Sequence, residues 1–568
     1  MVEKILITAA LPYINNVPHM GHIVGSHLPA DIQYRHAIAT GKDAIFIGGS
    51  DQHGTPAVMA AKQLGVETQD LVDKLHEVHK KVYAKLNIAY TNYSNTANPN
   101  HHQFVQEFFE TIHRKGFTST EKRDMYYCEN EQMFLPDRYV IGTCPTCNYE
   151  AANADQCEEC ATVLSTGDLI DPTCYSCGEE SHFKETEHVM IQLGQLTDTI
   201  DSWVESNKDN WRPHVYSEAK RWINEGLKSR SITRDMDWGV KVPLEGFNDK
   251  VFYVWFDALL GYASFTQELG QEVFESYWKN PDAQIMHFLG KDNVPFHTIF
   301  WTGMLQAHGE LNLPSSIIGY NYLNFEGQKF SKSKGVGVFC SNLLTSDINI
   351  DSLRSYLTTV LPENRDSDFK WDSYQAVTNN ELLGKIGNFF NRTLNFTWKN
   401  FNGNLNGATT NPQDMADISL VSKIHEMPGK ISTLFEQSKF RDAYKLVLEY
   451  ASEGNRYLER KSPWKTIKTN PEKAKHALYL ALQLAKSLTI VANPILPETM
   501  NQVWTEQLGL EGTPGDAGRW AEATKLNLPS NHPIHQPTHL YEKITDERLE
   551  QLRTELSKPH SLEQIVKE

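Results

Sequence analysis

Two short runs in this chain hold the residue types that handle a polyphosphate. His19-Met20-Gly21-His22 sets two imidazoles around a glycine, and Lys329-Phe330-Ser331-Lys332-Ser333 sets two ammonium groups three residues apart. Imidazoles beside a residue without a side chain can meet phosphate oxygens closely. Lysines on flexible stems act as point charges that neutralise a triphosphate. Each run alone is weak, because histidine pairs are usually structural and lysine–serine stretches are usually solvated. Together, in this order and so far apart, they suggest a site that activates a carboxylate with ATP. That reaction needs the carboxylate placed in line with the α-phosphorus, and it needs the charge on departing pyrophosphate stabilised. Lys334-Gly335-Val336-Gly337 reads as a loop that closes over the nucleotide.

The elements that must position these groups are legible as an α/β pattern. Ile5 to Ala10 is an apolar run of the kind a buried parallel strand shows, and Leu11-Pro12-Tyr13 breaks it. A helix is expected from about Gly21, its N-terminus offering N–H groups to phosphate. Ala44 to Gly49 predicts a second strand that ends at Ser50-Asp51-Gln52-His53-Gly54-Thr55-Pro56. Ligands of open α/β sheets bind at such strand ends. The pattern returns at Val251 to Phe256 and at Ile285 to Gly290. After about Asp372 it turns helical: Ile386, Phe389, Phe390 and Thr393 mark one face, Phe440, Tyr444, Val447 and Ala451 another, and Pro494 and Pro497 are expected to close a third helix.

From about Lys115 to Gly226 the chain reads as an insertion rich in cysteines and polar turns. Cys144-Pro-Thr-Cys147 and Cys157-Glu-Glu-Cys160 each present two thiols, a spacing that suits tetrahedral Zn²⁺. Four thiolates leave no position for a catalytic water, so this zinc is expected to be structural. A second site stays open. Cys174 and Cys177 form another pair, with Cys128 as the natural partner; the alternative is a pair of unligated thiols. Cys340 stands alone and is expected to pack as a small hydrophobe.

The 568 residues are too many for one core and imply about three to four domains. A net charge of −17 argues against a general nucleic-acid coat, though local basic patches can still hold one. Ala477 to Ala492, the most apolar long stretch, is interrupted by Gln483, Lys486 and Ser487 and is too short to span a membrane. The N-terminus lacks the pattern of a secretion signal. With six of the eight cysteines in CxxC pairs, the expectation is a reduced, cytoplasmic protein.

These residues resemble the class I aminoacyl-tRNA synthetases, and the methionyl family within them, over nearly the whole chain. Ala9 to Tyr13 with His19 to His22 resembles the family's first block and its HIGH motif, Asp51 to Pro56 its acidic block, and Lys329 to Ser333 its KMSKS motif, with Phe330 replacing the usual Met. Val254 to Ala258, and Gly290-Lys291-Asp292 with Phe296-His297, are similar to its pocket strands. Arg234-Asp235 and Trp238-Gly239 match a block shared by several class I members. Leu259 stands where proline is common, and Glu131 where two-zinc relatives have cysteine.

The resemblance implies a Rossmann-like parallel-sheet catalytic domain in two halves (1–115 and 230–320), a connective zinc insertion (116–229), a stem-contact region with the KFSKS loop (321–375), a helical anticodon-binding domain (376–540) and a tail (541–568). It implies methionine activation with ATP and Mg²⁺, then transfer to the 3′ end of tRNA(Met), with neither membrane nor DNA as a partner. His19, Gly21, His22, Lys329 and Lys332 would be catalytic, with Gly21 leaving room for adenine or ribose. Gly290 and Asp292 would meet the ribose. Methionine would lie among Ala10, Leu11, Tyr13, Asp51, Trp255, Tyr262, Phe296, His297 and Trp301. Asp51 would take the α-ammonium, and the Leu11 N–H or the Tyr262 hydroxyl would meet the sulfur. Asn388, Arg392 and Trp464 would read the anticodon. The polar tail from Thr545 to Lys558 leaves no room for the dimerising barrel that many relatives carry, so a monomer is expected.

Overall fold

The computed structural model describes residues 2–136, 139–154, 157, 159–160, 162, 164, 167–330, 336–557 and 562–563. At its centre is a five-stranded parallel sheet of β1 (Lys4–Ala9), β2 (Asp43–Ser50), β3 (Asn92–Asn95), β4 (Gln284–Gly290) and β5 (Ser316–Tyr320), in the order β5-β4-β1-β2-β3. Burial on both faces explains why β1 and β2 read as continuous apolar runs. The register sets Ala9 beside Phe288, so the carboxyl ends of β1 and β4 open together on one edge of the sheet.

The chain leaves β1 through the Leu11-Pro12-Tyr13 break. It turns helical at Met20–His22, widens into a π-turn over Ile23–His27 and continues as α1 (Leu28–Ala39). Val254 to Ala258 departs from the pocket strand that the resemblance implies. Strand pairing ends at Val251–Phe252, Tyr253 remains extended, and α2 (Val254–Gln267) begins there, so Trp255 sits in a helix's first turn. The apolar run from Val251 to Phe256 fits a buried helix as well as a strand, and periodicity does not separate the two.

The insertion projects on a long antiparallel pair, Thr118–Cys128 with His182–Ile191, in register from Thr118↔Ile191 to Tyr127↔His182. Its far end holds a small sheet of Val140–Thr143, Ala152–Asn153 and Ile170–Cys174, which carries the cysteine turns.

Beyond Ser316–Tyr320 come α3 (Ile350–Thr359) and the helical part: α4 (Asn388–Phe401), α5 (Met415–Glu436), α6 (Phe440–Lys461) and α7 (Pro471–Ala492). Their apolar faces join the core cluster that also holds the α1 side of the sheet. The residues from Ala477 to Ala492 are all buried, which accounts for their apolar character. No helix among the described residues is long and apolar enough to cross a membrane. Pro494 lies in the turn after α7, whereas Pro497 opens the next helix, Pro497–Gln502.

A buried guanidinium fastens these parts. Arg354 on α3 donates to Asp31 on α1 (2.7 Å), to the carbonyls of Leu86 and Asn87 (3.0 and 3.3 Å), and to those of Pro494 and Ile495 (3.0 and 2.9 Å). With its donors satisfied, a charge can remain out of water. It ties the helix that follows the histidine run to the helical part.

Candidate active site

The histidine run is built as a helix cap. Gly21 N–H donates to His19 Nδ1 (3.1 Å), and His19 N–H donates to His22 Nδ1 (3.1 Å). Both Nδ1 atoms act as acceptors, so these bonds assign the ring proton of each neutral imidazole to Nε2, the end able to donate to phosphate. The His19 ring stacks on Phe330 with centroids 4.8 Å apart and planes 10° from parallel, and lies 3.9 Å from the His22 ring. Backbone bonds tie the histidine run and the residue before it to the segment that follows the lysine run: Met20 N–H to Val338 O (3.4 Å) and Cys340 N–H to Pro18 O (3.2 Å). The requirement for glycine at position 21 differs from the one expected. A Cβ there would lie 2.8 and 2.9 Å from the His19 ring, so the residue first makes room for the neighbouring histidine.

The histidine and lysine runs face one cleft of about 420 Å³. Its lining includes His19, Gly21, His22, Gly290, Asp292 and Lys329. Lys332 and the Lys334–Gly335 step of the expected closing loop lie outside the described residues. Phe330 matters more than a replaced methionine suggests, because its ring is the surface against which His19 is held.

A narrow slot adjoins the cleft, lined by Ala10, Leu11, Tyr13, Asp51, Trp255, Tyr262 and His297, with Asn293 shared between slot and cleft. Of the two donors expected to meet sulfur, the Tyr262 hydroxyl heads a hydrogen-bond chain: it lies 2.8 Å from His297 Nε2, and His297 Nδ1 lies 2.8 Å from the Asn293 carbonyl. The carbonyl can only accept, so Nδ1 carries the proton and Tyr262 donates to Nε2. Burial lowers the His297 pKa to about 4, against the pull of the Asn293 carbonyl, and keeps this imidazole neutral. Phe296 stacks on Trp255 at 3.9 Å and 7°, and lines the larger cavity beside the slot, not the slot itself. Trp301 does not line the slot. It is fully buried behind it, donating to His287 Nε2 at 3.1 Å and packed edge-on against Tyr262.

Asp51 presents a buried carboxylate to the slot. Burial, and then the charge of Asp257, push its pKa well above the usual carboxylate range; the N–H of His53, 3.2 Å from Oδ1, opposes them. No lysine or arginine pairs with Asp51 among the described residues. A carboxylate in that state is stabilised by an incoming ammonium.

A third cavity, of about 620 Å³, runs from Tyr13 and His22 past Gly54–Pro56 to Pro136 of the insertion, Arg234 and Trp238. Asn293 lines all three spaces. The sequence singles out the Gly290-Lys291-Asp292 turn but not this next residue, and nothing local marks it.

Two further sites lie apart. At the end of the helical part, Trp464 follows Ser462, whose φ of +40° turns the chain, and the Arg392 guanidinium stands 4.7 Å over its ring. Asn388, one turn earlier on α4, donates to Asn455 at 3.0 Å. This is a half-exposed aromatic ring beside polar donors, suited to an unstacked base. In the insertion, the thiols of Cys144, Cys147, Cys157 and Cys160 converge, with Sγ–Sγ distances of 3.8 Å (Cys144–Cys160) and 3.6 Å (Cys147–Cys157). Tetrahedral Zn–S bonds of ~2.3 Å require sulfur atoms ~3.8 Å apart, so the donor set fits. Cys128, Cys174 and Cys177 also converge, with Cys128 and Cys177 3.5 Å apart, and the Glu131 N–H donates to Cys128 Sγ at 3.4 Å.

Comparison with known proteins places this geometry. Residues 5–394 match the family described as tRNA synthetases class I (M), and residues 407–560 match the anticodon binding domain of methionyl tRNA ligase. The class is therefore that of the class I tRNA synthetases. The methionine–tRNA ligase of Bacteroides fragilis (strain YCH46) is 38% identical over 550 residues, covering 96% of this chain and 80% of that protein. That of Flavobacterium johnsoniae is 41% identical over 502 residues, covering 88% and 70%. Mycobacterium tuberculosis methionyl-tRNA synthetase in complex with methionyl-adenylate shares the fold, with a TM-score of 0.78, 22% identity and coverage of 95% of this chain and 99% of that one. The chain belongs to the methionyl-tRNA synthetase family.

Proposed function

We propose that the chain joins methionine to ATP, giving methionyl-adenylate and pyrophosphate, and then passes the methionyl group to the 3′ end of tRNA(Met). The observation that carries this reading is the meeting of His19, His22 and Lys329 in one cleft that opens, at Asn293, into a slot lined by Tyr262 and His297. The triphosphate would lie against the histidines and Lys329, with Lys332 as the second cation and Gly290 and Asp292 at the ribose. Mg²⁺ arriving with ATP would neutralise further phosphate charge. Asp51 would hold the α-ammonium, leaving the carboxylate towards the α-phosphorus at the Asn293 crossing. The hydroxyl of the tRNA's terminal ribose would approach through the third cavity. Asn388, Arg392 and Trp464 would take an anticodon base, about 1–3 kcal/mol coming from stacking.

The four convergent thiols support one structural zinc held by Cys144, Cys147, Cys157 and Cys160. The triad of Cys128, Cys174 and Cys177 supports a second ion if a fourth ligand completes it. A reduced, cytoplasmic, monomeric enzyme is the setting this reading assumes. ATP–pyrophosphate exchange across the twenty amino acids tests it: methionine alone should respond strongly, and a stronger response to any other amino acid would refute it.

A further inference from the structure

Behind the slot lies a buried charge network that the reaction does not visibly use. Asp257, in the first turn of α2, is fully buried, and each of its oxygens meets a histidine. His53 Nδ1 stands 2.8 Å from Oδ2 and His101 Nε2 3.1 Å from Oδ1. His101 is held in turn by Ser264, whose hydroxyl is 2.7 Å from Nδ1. The network joins the turn after β2, the helix after β3 and α2. Removing a carboxylate from water is costly, and the two histidines offset that cost: burial alone would raise the Asp257 carboxyl, yet they hold it at about 2.

The consequence falls on Asp51. His53 uses its ring to grip Asp257 and its backbone N–H to grip Asp51 Oδ1 at 3.2 Å. The neighbouring Gln52 is pinned on both sides, its N–H donating to Thr96 Oγ1 (2.9 Å) and its carbonyl accepting from Trp238 Nε1 (2.7 Å). The Asp51 carboxylate therefore has its orientation set by a peptide whose own side chain is locked by Asp257. Asp257 also lies two residues after Trp255, so one anchor fixes both the polar and the aromatic wall of the slot.

We propose that Asp257, acting through His53, is a positioning residue that orients Asp51 towards the α-ammonium group of the amino acid. This rests on the reading of Asp51 given above. It separates the energetics of the amino group from those of the rest of the ligand.

The test is equilibrium binding, without ATP, of methionine and of 4-(methylthio)butanoate, which has the same chain and carboxylate but no amine. Asp257→Asn keeps the shape and removes the charge. It should weaken methionine about tenfold, the scale of one charge-assisted hydrogen bond, and butanoate less than about twofold. His53→Ala should do the same. His53→Asn, whose amide N–H falls near the position of the lost Nδ1–H, should recover most of the affinity. Should Asp257→Asn fail to fold, as seen by thermal melting, the two His53 variants carry the test. Equal weakening of both ligands would mean a merely structural role and would overturn the proposal. So would unchanged methionine binding, or no recovery in His53→Asn. Asp51→Asn separates the two readings: if it too treats the ligands alike, the ammonium assignment of Asp51 is what fails.

Discussion

Gly21→Ala probes the nucleotide cleft most sharply. The new Cβ would sit 2.8 Å from His19 Cε1 and 2.9 Å from Nδ1, so the imidazole must retreat by about 0.6 Å to reach ordinary contact. That retreat weakens the cap bond from Gly21 N–H and tilts the ring off Phe330. A cap of this kind contributes about 1 kcal/mol and an aromatic stack about 0.5–1.5 kcal/mol. Together they place about 2 kcal/mol on the setting of the His19 donor. Since 1.36 kcal/mol is tenfold in rate, adenylate formation should slow about 30-fold. The assay is methionine-dependent ATP–pyrophosphate exchange. The expected pattern is a fall in kcat with the KM for methionine changed less than about twofold, because the slot does not touch Gly21. A rate within about threefold of wild type would show that His19 need not be held in this geometry.

Three other outcomes follow from the same structure. Trp464→Ala removes a stacking surface worth about 1–3 kcal/mol and the seat of Arg392, so the KM for tRNA in aminoacylation should rise about 5- to 150-fold while pyrophosphate exchange stays normal. Metal analysis of Cys157→Ser should show one equivalent of zinc fewer than wild type, with a lower thermal midpoint and near-normal exchange in the folded fraction; an unchanged zinc content would exclude the four-thiolate site. Acid should destabilise the fold early. Burial first, helped by His79 and Lys42 respectively, lowers the pKa of His27 and His36 to about 3, and burial lowers that of His297 to about 4. Unfolded histidines titrate near 6.5 and bind more protons, so stability present above that pH is lost as pH falls towards 3–4, by up to about 1.4 kcal/mol per pH unit for each histidine. The urea midpoint should be lower at pH 5.5 than at 7.5, and equal midpoints would contradict this.

What the sequence reveals and what it hides follows from the range of the interactions. The strands at Ile5 and Ala44, the break at Leu11-Pro12 and the helical faces at Phe389 and Tyr444 announce themselves because burial period and chain breakers are local properties. The CxxC turns are legible for the same reason. Val251 to Phe256 is ambiguous because an apolar run does not record whether a sheet or a helix buries it, and here strand pairing ends at Phe252 and the helix begins at Val254. The Phe330–His19 stack, the Asp257–His53 pair and the Arg354 hub join residues hundreds of positions apart. No spacing rule encodes such pairings. Asn293 is invisible for another reason: its place at the crossing of three cavities is a property of the folded surface.

The most direct measurement is a structure of the chain with a non-hydrolysable mimic of methionyl-adenylate. The expected result is the adenosine between His19, His22 and Gly290, the thioether against Tyr262 and His297, the amine on Asp51, and the acyl-phosphate linkage at Asn293. A mimic bound with its adenosine away from the histidines, or with the methionyl group outside that slot, would contradict the assignment of one shared site to both runs.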